Sequence, residues 1–219
     1  MSYRLLLVFL LSSCAYATQE IVWASVVSGA LEPDESYNPL GATQVSNPTT
    51  GNYSIVFTGV LPESGDGANG YAHAVSRDLG TSCHVTGWGL PAASVRCQNS
   101  SGTLTNANFR IVVIPAGNEK RVVFALAHLP TTASYAPAAP FSWNKGLPIT
   151  ITRVTTGIYT VSFAGRDTTG GTFMASSFGN HSNLCRVMDL SGVRCTTPDG
   201  SLVDSQFAVA AISGSEFPD

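Results

Sequence analysis

Charge is the scarcest commodity in this chain. Of its 219 residues only 11% are Asp, Glu, Lys or Arg, under half of the ~25% usual in globular domains. A chain so poor in charge, with 44% hydrophobic residues, is not disordered, because disorder needs the opposite balance. It is not a coiled coil either, since Glu, Lys, Leu and Ala do not dominate. Lys and Arg never stand more than two together and the net charge is −3. A phosphate-tracking surface, and with it a nucleic-acid partner, is therefore not expected. Beyond the N-terminus no stretch carries a 3.6-residue apolar stripe, so helices are not expected. No apolar run approaches the ~18 residues of a membrane-spanning helix.

Chemical motifs are equally sparse. The four histidines, His73, His84, His128 and His181, stand in neither H-E-x-x-H nor H-x-H spacing, so no metal site is expected. No G-x-S-x-G nucleophile motif occurs. The aspartates sit mostly beside Gly, Pro, Ser or Thr, where carboxylates bond the amides of turns. The acidic tip Glu63–Asp66 lacks the D-x-D-x-D-G run of a calcium loop. No catalytic residue and no cofactor is assigned.

What the chain does contain is an export signal and a repeat. Arg4, the apolar run Leu5–Leu11 and Ala15-Tyr16-Ala17 read as a signal peptide over 1–17 with an A-x-A cleavage site. A competing reading takes Leu11-Ser12-Ser13-Cys14 as a lipobox, with Cys14 lipidated. The first reading gives a secreted or periplasmic protein, the second an outer-membrane lipoprotein.

Thr49-Thr50-Gly51-Asn52-Tyr53-Ser54-Ile55-Val56-Phe57-Thr58-Gly59 matches Thr155–Gly165 at six of eleven positions. Tyr37-Asn38 matches Trp143-Asn144 at the same offset of 106, and Val22-Trp23-Ala24 resembles Val123-Phe124-Ala125. Downstream, Val95-Arg96-Cys97 matches Val193-Arg194-Cys195, and Gly102, Leu104, Phe109 and Ile114 match Gly200, Leu202, Phe207 and Ile212 at an offset of 98. Matching blocks at slowly drifting offsets mark a tandem duplication with indels in surface loops. One unit spans 18–116 and the other 119–213, joined at Pro115-Ala116-Gly117-Asn118.

Alternation at period two makes each unit all-β. Tyr53, Ile55 and Phe57, Tyr159, Val161 and Phe163, and Phe207, Val209 and Ala211 are its clearest instances. Six to seven short strands in about 95 residues fit an antiparallel β-sandwich, immunoglobulin-like or jelly-roll. A core that thin is commonly supplemented by a disulfide. Four cysteines remain after the signal, and the duplication gives each unit its own pair, Cys83–Cys97 and Cys185–Cys195. Each should staple two neighbouring strands.

Three aromatic residues are candidates for ligand contact. Trp88 sits between glycines, at a place where the second unit has Met188-Asp189-Leu190. It either presents its ring to a sugar or apolar ligand or covers the disulfide and closes the core. Tyr71 and Phe173, aligned opposite one another in the two units, are expected on sheet faces. Tyr37 and Trp143, being equivalent, suggest packing common to both units.

The pattern Thr-Gly-x-Tyr-x-Val-x-Phe (Thr156–Phe163), Val-Arg-Cys (Val193–Cys195), then Asp-Gly and Asp-Ser-x-Phe-x-Val (Asp199–Val209) resembles a tandem β-repeat module of exported bacterial proteins of unassigned function. A second likeness is to jelly-roll modules of the complement and phage-fibre type, which also carry a Gly-x-Tyr strand. Neither resemblance implies a catalytic residue. The expectation is an exported, non-catalytic binding or structural module at the cell surface or outside the cell, with a cell-surface glycan or another envelope protein as partner. Tandem copies would raise avidity for a repeated target. The competing expectations are an exported hydrolase with one degenerate unit, betrayed by a histidine within reach of a carboxylate, and a lipid-anchored envelope component.

Overall fold

The computed structural model describes residues 20–60, 70–115, 121–166 and 171–213. The expected signal peptide at 1–17 with Cys14, the Glu63–Asp66 tip and most of the expected joint at 115–118 lie outside them.

The first unit contains β1 (Val22–Val27), β2 (Ala30–Leu31), β3 (Thr43–Thr49), β4 (Asn52–Phe57), β5 (Tyr71–Ser76), β6 (Thr81–Gly89), β7 (Ala92–Asn99) and β8 (Phe109–Ile114). Two antiparallel sheets result, in the orders β2-β1-β8-β5 and β3-β4-β7-β6. The second unit contains β9 (Val122–Ala127), β10 (Ser134–Tyr135), β11 (Ser142–Trp143), β12 (Ile149–Thr155), β13 (Ile158–Phe163), β14 (Thr172–Ser177), β15 (Leu184–Val187), β16 (Gly192–Thr196) and β17 (Phe207–Ile212). Its sheets run β11-β9-β17-β14 and β10-β12-β13-β16-β15. The two orders superpose strand for strand apart from the short β2, β10 and β11. The chain is thus all-β, with one disulfide in each half. An immunoglobulin sandwich places its first two strands in one sheet. Here the first two long strands of each unit, β1 and β3 or β9 and β12, lie in different sheets, and the first pairs with the last, β1 with β8 and β9 with β17.

The repeated motif explains itself in the hairpin β3–β4 and its counterpart β12–β13. Thr49 pairs with Asn52, and Thr155 with Ile158, leaving the two-residue loops Thr50-Gly51 and Thr156-Gly157. Both glycines have positive φ, 71° and 68°, which the tight turn requires. A Cβ at either would lie 2.6 Å from the carbonyl oxygen of Cys97 or Cys195. In return the Cys97 and Cys195 amides donate to the carbonyls of Gly51 and Gly157, each at 2.7 Å. Two residues on, the tyrosine hydroxyls reach across the sandwich. The Ala107 amide donates to the Tyr53 hydroxyl and the Ser205 amide to that of Tyr159. Thr-Gly-x-Tyr and Val-x-Cys are therefore two halves of one contact, made twice.

Cys83 pairs directly with Cys97 across β6–β7, and Cys185 with Cys195 across β15–β16. Replacing both Cys185 and Cys195 by Ala should lower stability by roughly 2–3 kcal/mol. The measurement is a downward shift of the urea midpoint, and an unshifted midpoint would count against the staple.

Within each unit the inward positions alternate as expected. Val22, Ala24 and Val26 meet Tyr53, Ile55, Phe57, Phe109 and Ile111 in one core. Ile149, Ile151, Tyr159, Val161 and Phe163 meet Phe207, Val209 and Val123 in the other. The two units differ in their outer faces. In the second, β9 is buried throughout and β17 nearly so, and Val122, Phe124, Leu126, Ala208 and Ala210 join the core of the first unit. The corresponding face of the first unit has Ser25 where Leu126 stands and Arg110 where Ala208 stands, because the paired residues Ser25–Arg110 and Leu126–Ala208 hold the same ladder rung. There Glu32, Glu35, Arg77 and Arg110 form an ion-pair network around the Ser25 hydroxyl. One sheet face is left for water and its counterpart for protein.

Tyr71 and Phe173 are one position out of alignment. Ser76 faces Phe109 and Ser177 faces Phe207, so Tyr71 corresponds to Thr172 and Phe173 to Ala72. A slip of one residue reverses the face a strand residue occupies. Tyr71 points to the junction between units, and Phe173 packs edge-on against Phe163 in the second core.

Candidate functional sites

The junction brings together most of the residues that drew attention in the sequence. Trp88 is only 9% exposed. Its Nε1–H donates to the Gly70 carbonyl at 3.0 Å, and its ring meets Phe141 and Phe178 of the second unit edge-on, at centroid distances of 6.0 and 5.1 Å. Tyr71 is buried against Phe124. Of the three aromatic candidates, two are thus in the joint between units and Phe173 is in the second core. They do not form one surface.

The connection between β14 and β15 lies over the outer face of β6 and β7. Phe178 forms a parallel bridge to Val85. His84 donates from Nε2 to the Gly179 carbonyl at 3.0 Å, and Gln98 donates from Nε2 to the Ser182 carbonyl at 2.7 Å. The rings of His84 and His181 stack at 5.9 Å. Both imidazoles titrate below their ordinary value. Burial pushes His84 down to about 4, with the neighbouring His181 and Arg96 adding to the effect, and burial likewise lowers His181. His73, whose Nδ1 meets the Tyr71 hydroxyl at 3.1 Å, is also pushed down to about 4 by desolvation. A small cavity of about 230 Å³ separates β5 and β6 from β14 and β15 and is lined by His73, His84, Ser176, Cys83 and Cys185 among others. Cavity-lining His84 and Ser176 each carry a buried polar atom, Nδ1 and Oγ, without a hydrogen-bond partner among the described residues.

Two further sites occupy equivalent positions in the units. Tyr37 bridges to Trp23, and Trp143 pairs with Phe124, the counterpart of Trp23. In the first unit the two rings stack at 4.6 Å and remain 38% and 40% exposed. The Tyr37 hydroxyl donates to Glu20 at 2.7 Å. In the second unit Trp143 lines a groove of about 640 Å³ together with Asn144, Lys145, Leu147, Ala136 and Pro137. Its Nε1–H is buried and has no acceptor among the described residues. Hydrogen bonds tie the groove wall to the sheet beside it. Asn144 donates to the carbonyls of Pro148 and Ala164 and accepts from Arg166, as Asn38 donates to Ala42 and Thr58 in the first unit. Lys145 has φ of 50°, a left-handed conformation rare for a residue with a side chain and found disproportionately at functional sites.

One serine–histidine contact exists at the same junction. Ser205 Oγ lies 3.0 Å from His181 Nε2. The Asn183 amide, however, donates to His181 Nδ1, so the neutral ring carries its proton on Nε2 and has no lone pair facing the serine. The neighbouring carboxylate, Asp204, is held by Arg153, Gly157 and Tyr159. The Arg153 guanidinium keeps that carboxyl below its usual range. His128 contacts Tyr135 edge-on. Among the described residues no three His, Cys, Asp or Glu side chains gather where they could hold a metal ion, and no helix is long and apolar enough to cross a membrane.

No family model, curated protein or solved structure matches this chain.

The alignment of Tyr37 with Trp143 was legible in the sequence, but their exposure was not. Trp23 was marked only as part of the Val22–Ala24 match, and Phe141 and Lys145 gave no signal at all. Whether a ring on a strand faces water or a neighbouring unit depends on what lies over the sheet, and periodicity is silent about that.

Proposed function

We propose that the protein is a non-catalytic binding module that works outside the cytoplasm and takes a saccharide of the cell surface at the Trp143 groove, with the Trp23–Tyr37 pair as a second contact. Two disulfides of structural type belong to an oxidising, extracytoplasmic environment. The observation that carries the reading is the half-buried ring of Trp143, which lines the groove beside the polar side chains of Asn144 and Lys145. A pyranose presents an apolar C–H face to a ring and hydroxyl oxygens to donors, which is the mixture an aromatic-lined groove with a few polar groups accepts. The histidine and serine contacts support a packing role, because each links two segments of backbone. The tautomer of His181 tells against the hydrolase alternative, which requires the opposite ring nitrogen to be free.

A glycan array followed by calorimetry tests this. Trp143→Ala should weaken binding at least tenfold, about 1.4 kcal/mol, and Tyr37→Ala should lower avidity for long but not short oligosaccharides. Wild-type protein that retains no glycan would end the proposal, and capture of an envelope protein instead would name the other partner class. The signal at 1–17 supports secretion or a periplasmic location. Mass spectrometry of the mature N-terminus separates that, with Thr18 first, from the outer-membrane lipoprotein that begins at an acylated Cys14.

A further inference from the structure

The two units part company at one sheet edge. In the second unit the outer edge of β12 is covered by its own chain. Ser134 and Tyr135 of β10 pair with Thr152 and Ile151, and the Arg153 amide donates to the Ala133 carbonyl at 2.9 Å. The covering strand comes from an insertion that the repeat offsets locate. Val22–Ala24 and Val123–Ala125 are 101 residues apart, whereas Tyr37-Asn38 and Trp143-Asn144 are 106 apart. The second unit therefore spends five more residues between its first strand and the aromatic bridge, and β10 lies in that interval. The first unit lacks them. Its equivalent strand, β3, pairs with β4 on one side, and among the described residues nothing pairs with the other.

The free edge presents a definite set of groups. The Thr58 amide donates to the Ala42 carbonyl at 2.9 Å. Hydrogen-bonded pairs alternate along an antiparallel ladder, so Gln44 and Ser46 direct their backbone groups to β4 while Thr43, Val45 and Asn47 direct theirs outward. The second unit agrees: Arg153, the counterpart of Asn47, is the residue whose amide meets β10. Edge strands are ordinarily protected by Lys, by Pro or by bulges. Here Pro48 and the irregularity between Ser46 and Thr49 end the ladder, but Thr43–Asn47 carries no charge and no proline.

We infer that β3 pairs with β3 of a second copy of this chain, antiparallel about a twofold axis through Val45, making one continuous eight-stranded sheet from the two four-stranded ones. The segment is self-complementary in that register. Val45 faces Val45, Thr43 faces Asn47, and on the exposed face Gln44 faces Ser46. Nothing charged is brought against itself, which is the condition an isologous contact must meet. The shared strand is short, so the association is weak and reversible.

Sedimentation velocity of the mature protein over rising concentration tests this. The expected result is a monomer–dimer equilibrium. Gln44→Lys with Ser46→Lys, both exposed side chains, should weaken dimerisation at least tenfold while leaving the thermal midpoint unchanged. Mixing that variant with the Gln44→Glu, Ser46→Glu variant should restore the dimer as a heterodimer. Protein that stays monomeric throughout, including one that takes an added extended peptide at this edge, overturns the inference. So does a dimer indifferent to both pairs of charges. The glycan experiment is independent of either result.

Discussion

Trp88→Ala is expected to destabilise the whole protein by about 3–5 kcal/mol, and to do so at the joint between the units. Trp88 belongs to the first unit by sequence, yet its ring touches Phe141 and Phe178 of the second. The outer face of β9 and β17 is buried in the same cluster. Wild-type protein should therefore melt in one cooperative transition, as a single domain does. Removal of the indole opens a cavity where the two units meet and leaves the Gly70 carbonyl without its donor. Calorimetry should show the peak moving down and broadening toward two. A variant that keeps a single sharp transition at the wild-type temperature would show the contact to be incidental.

The second large effect is with acid. His84 is 3% exposed and takes its proton only near pH 4 in the folded chain, whereas an unfolded histidine takes one near pH 6.5. Between those values the unfolded chain binds more protons, so stability is full above about pH 6.5 and falls as the pH drops toward 4. The loss for this one ring is on the order of 3 kcal/mol. His181 and His73 act in the same direction, since burial lowers both. Asp204 and Glu35, held low by Arg153 and Arg110, lose their contribution only at still lower pH. In urea titrations from pH 7 to 4, His84→Gln should flatten the slope, because Gln can still donate to the Gly179 carbonyl and does not titrate. Parallel slopes for variant and wild type would refute the assignment.

The matching strand orders of the two halves, the strands and the cystine pairs were legible because each leaves a local mark: a recurring Thr-Gly-x-Tyr, an alternation, a Val-Arg-Cys. Tertiary choices left weaker marks. Val122–Ala127 reads V-V-F-A-L-A and Phe207–Ile212 reads F-A-V-A-A-I, with no polar residue on either face. Such continuous apolar runs are what a strand buried on both sides requires, so the packed joint was written there and could have been read. The register of β5 against β14 was not readable, because no anchor lies between the hairpin and the first cysteine, and a one-residue slip changes the face of every ring. Of the candidate sites, the groove depends on the path of a connection, and connections have no period.

The unequal outer faces bear on what either half could do alone. Two identical modules side by side could each be discarded without loss of fold. With Leu126 and Ala208 on the rung that holds Ser25 and Arg110 in the front half, the rear half alone would expose a greasy sheet, and the front half alone would expose Tyr71 and Trp88. Neither half is then a smaller protein by itself, and the pair is the smallest unit that hides both faces.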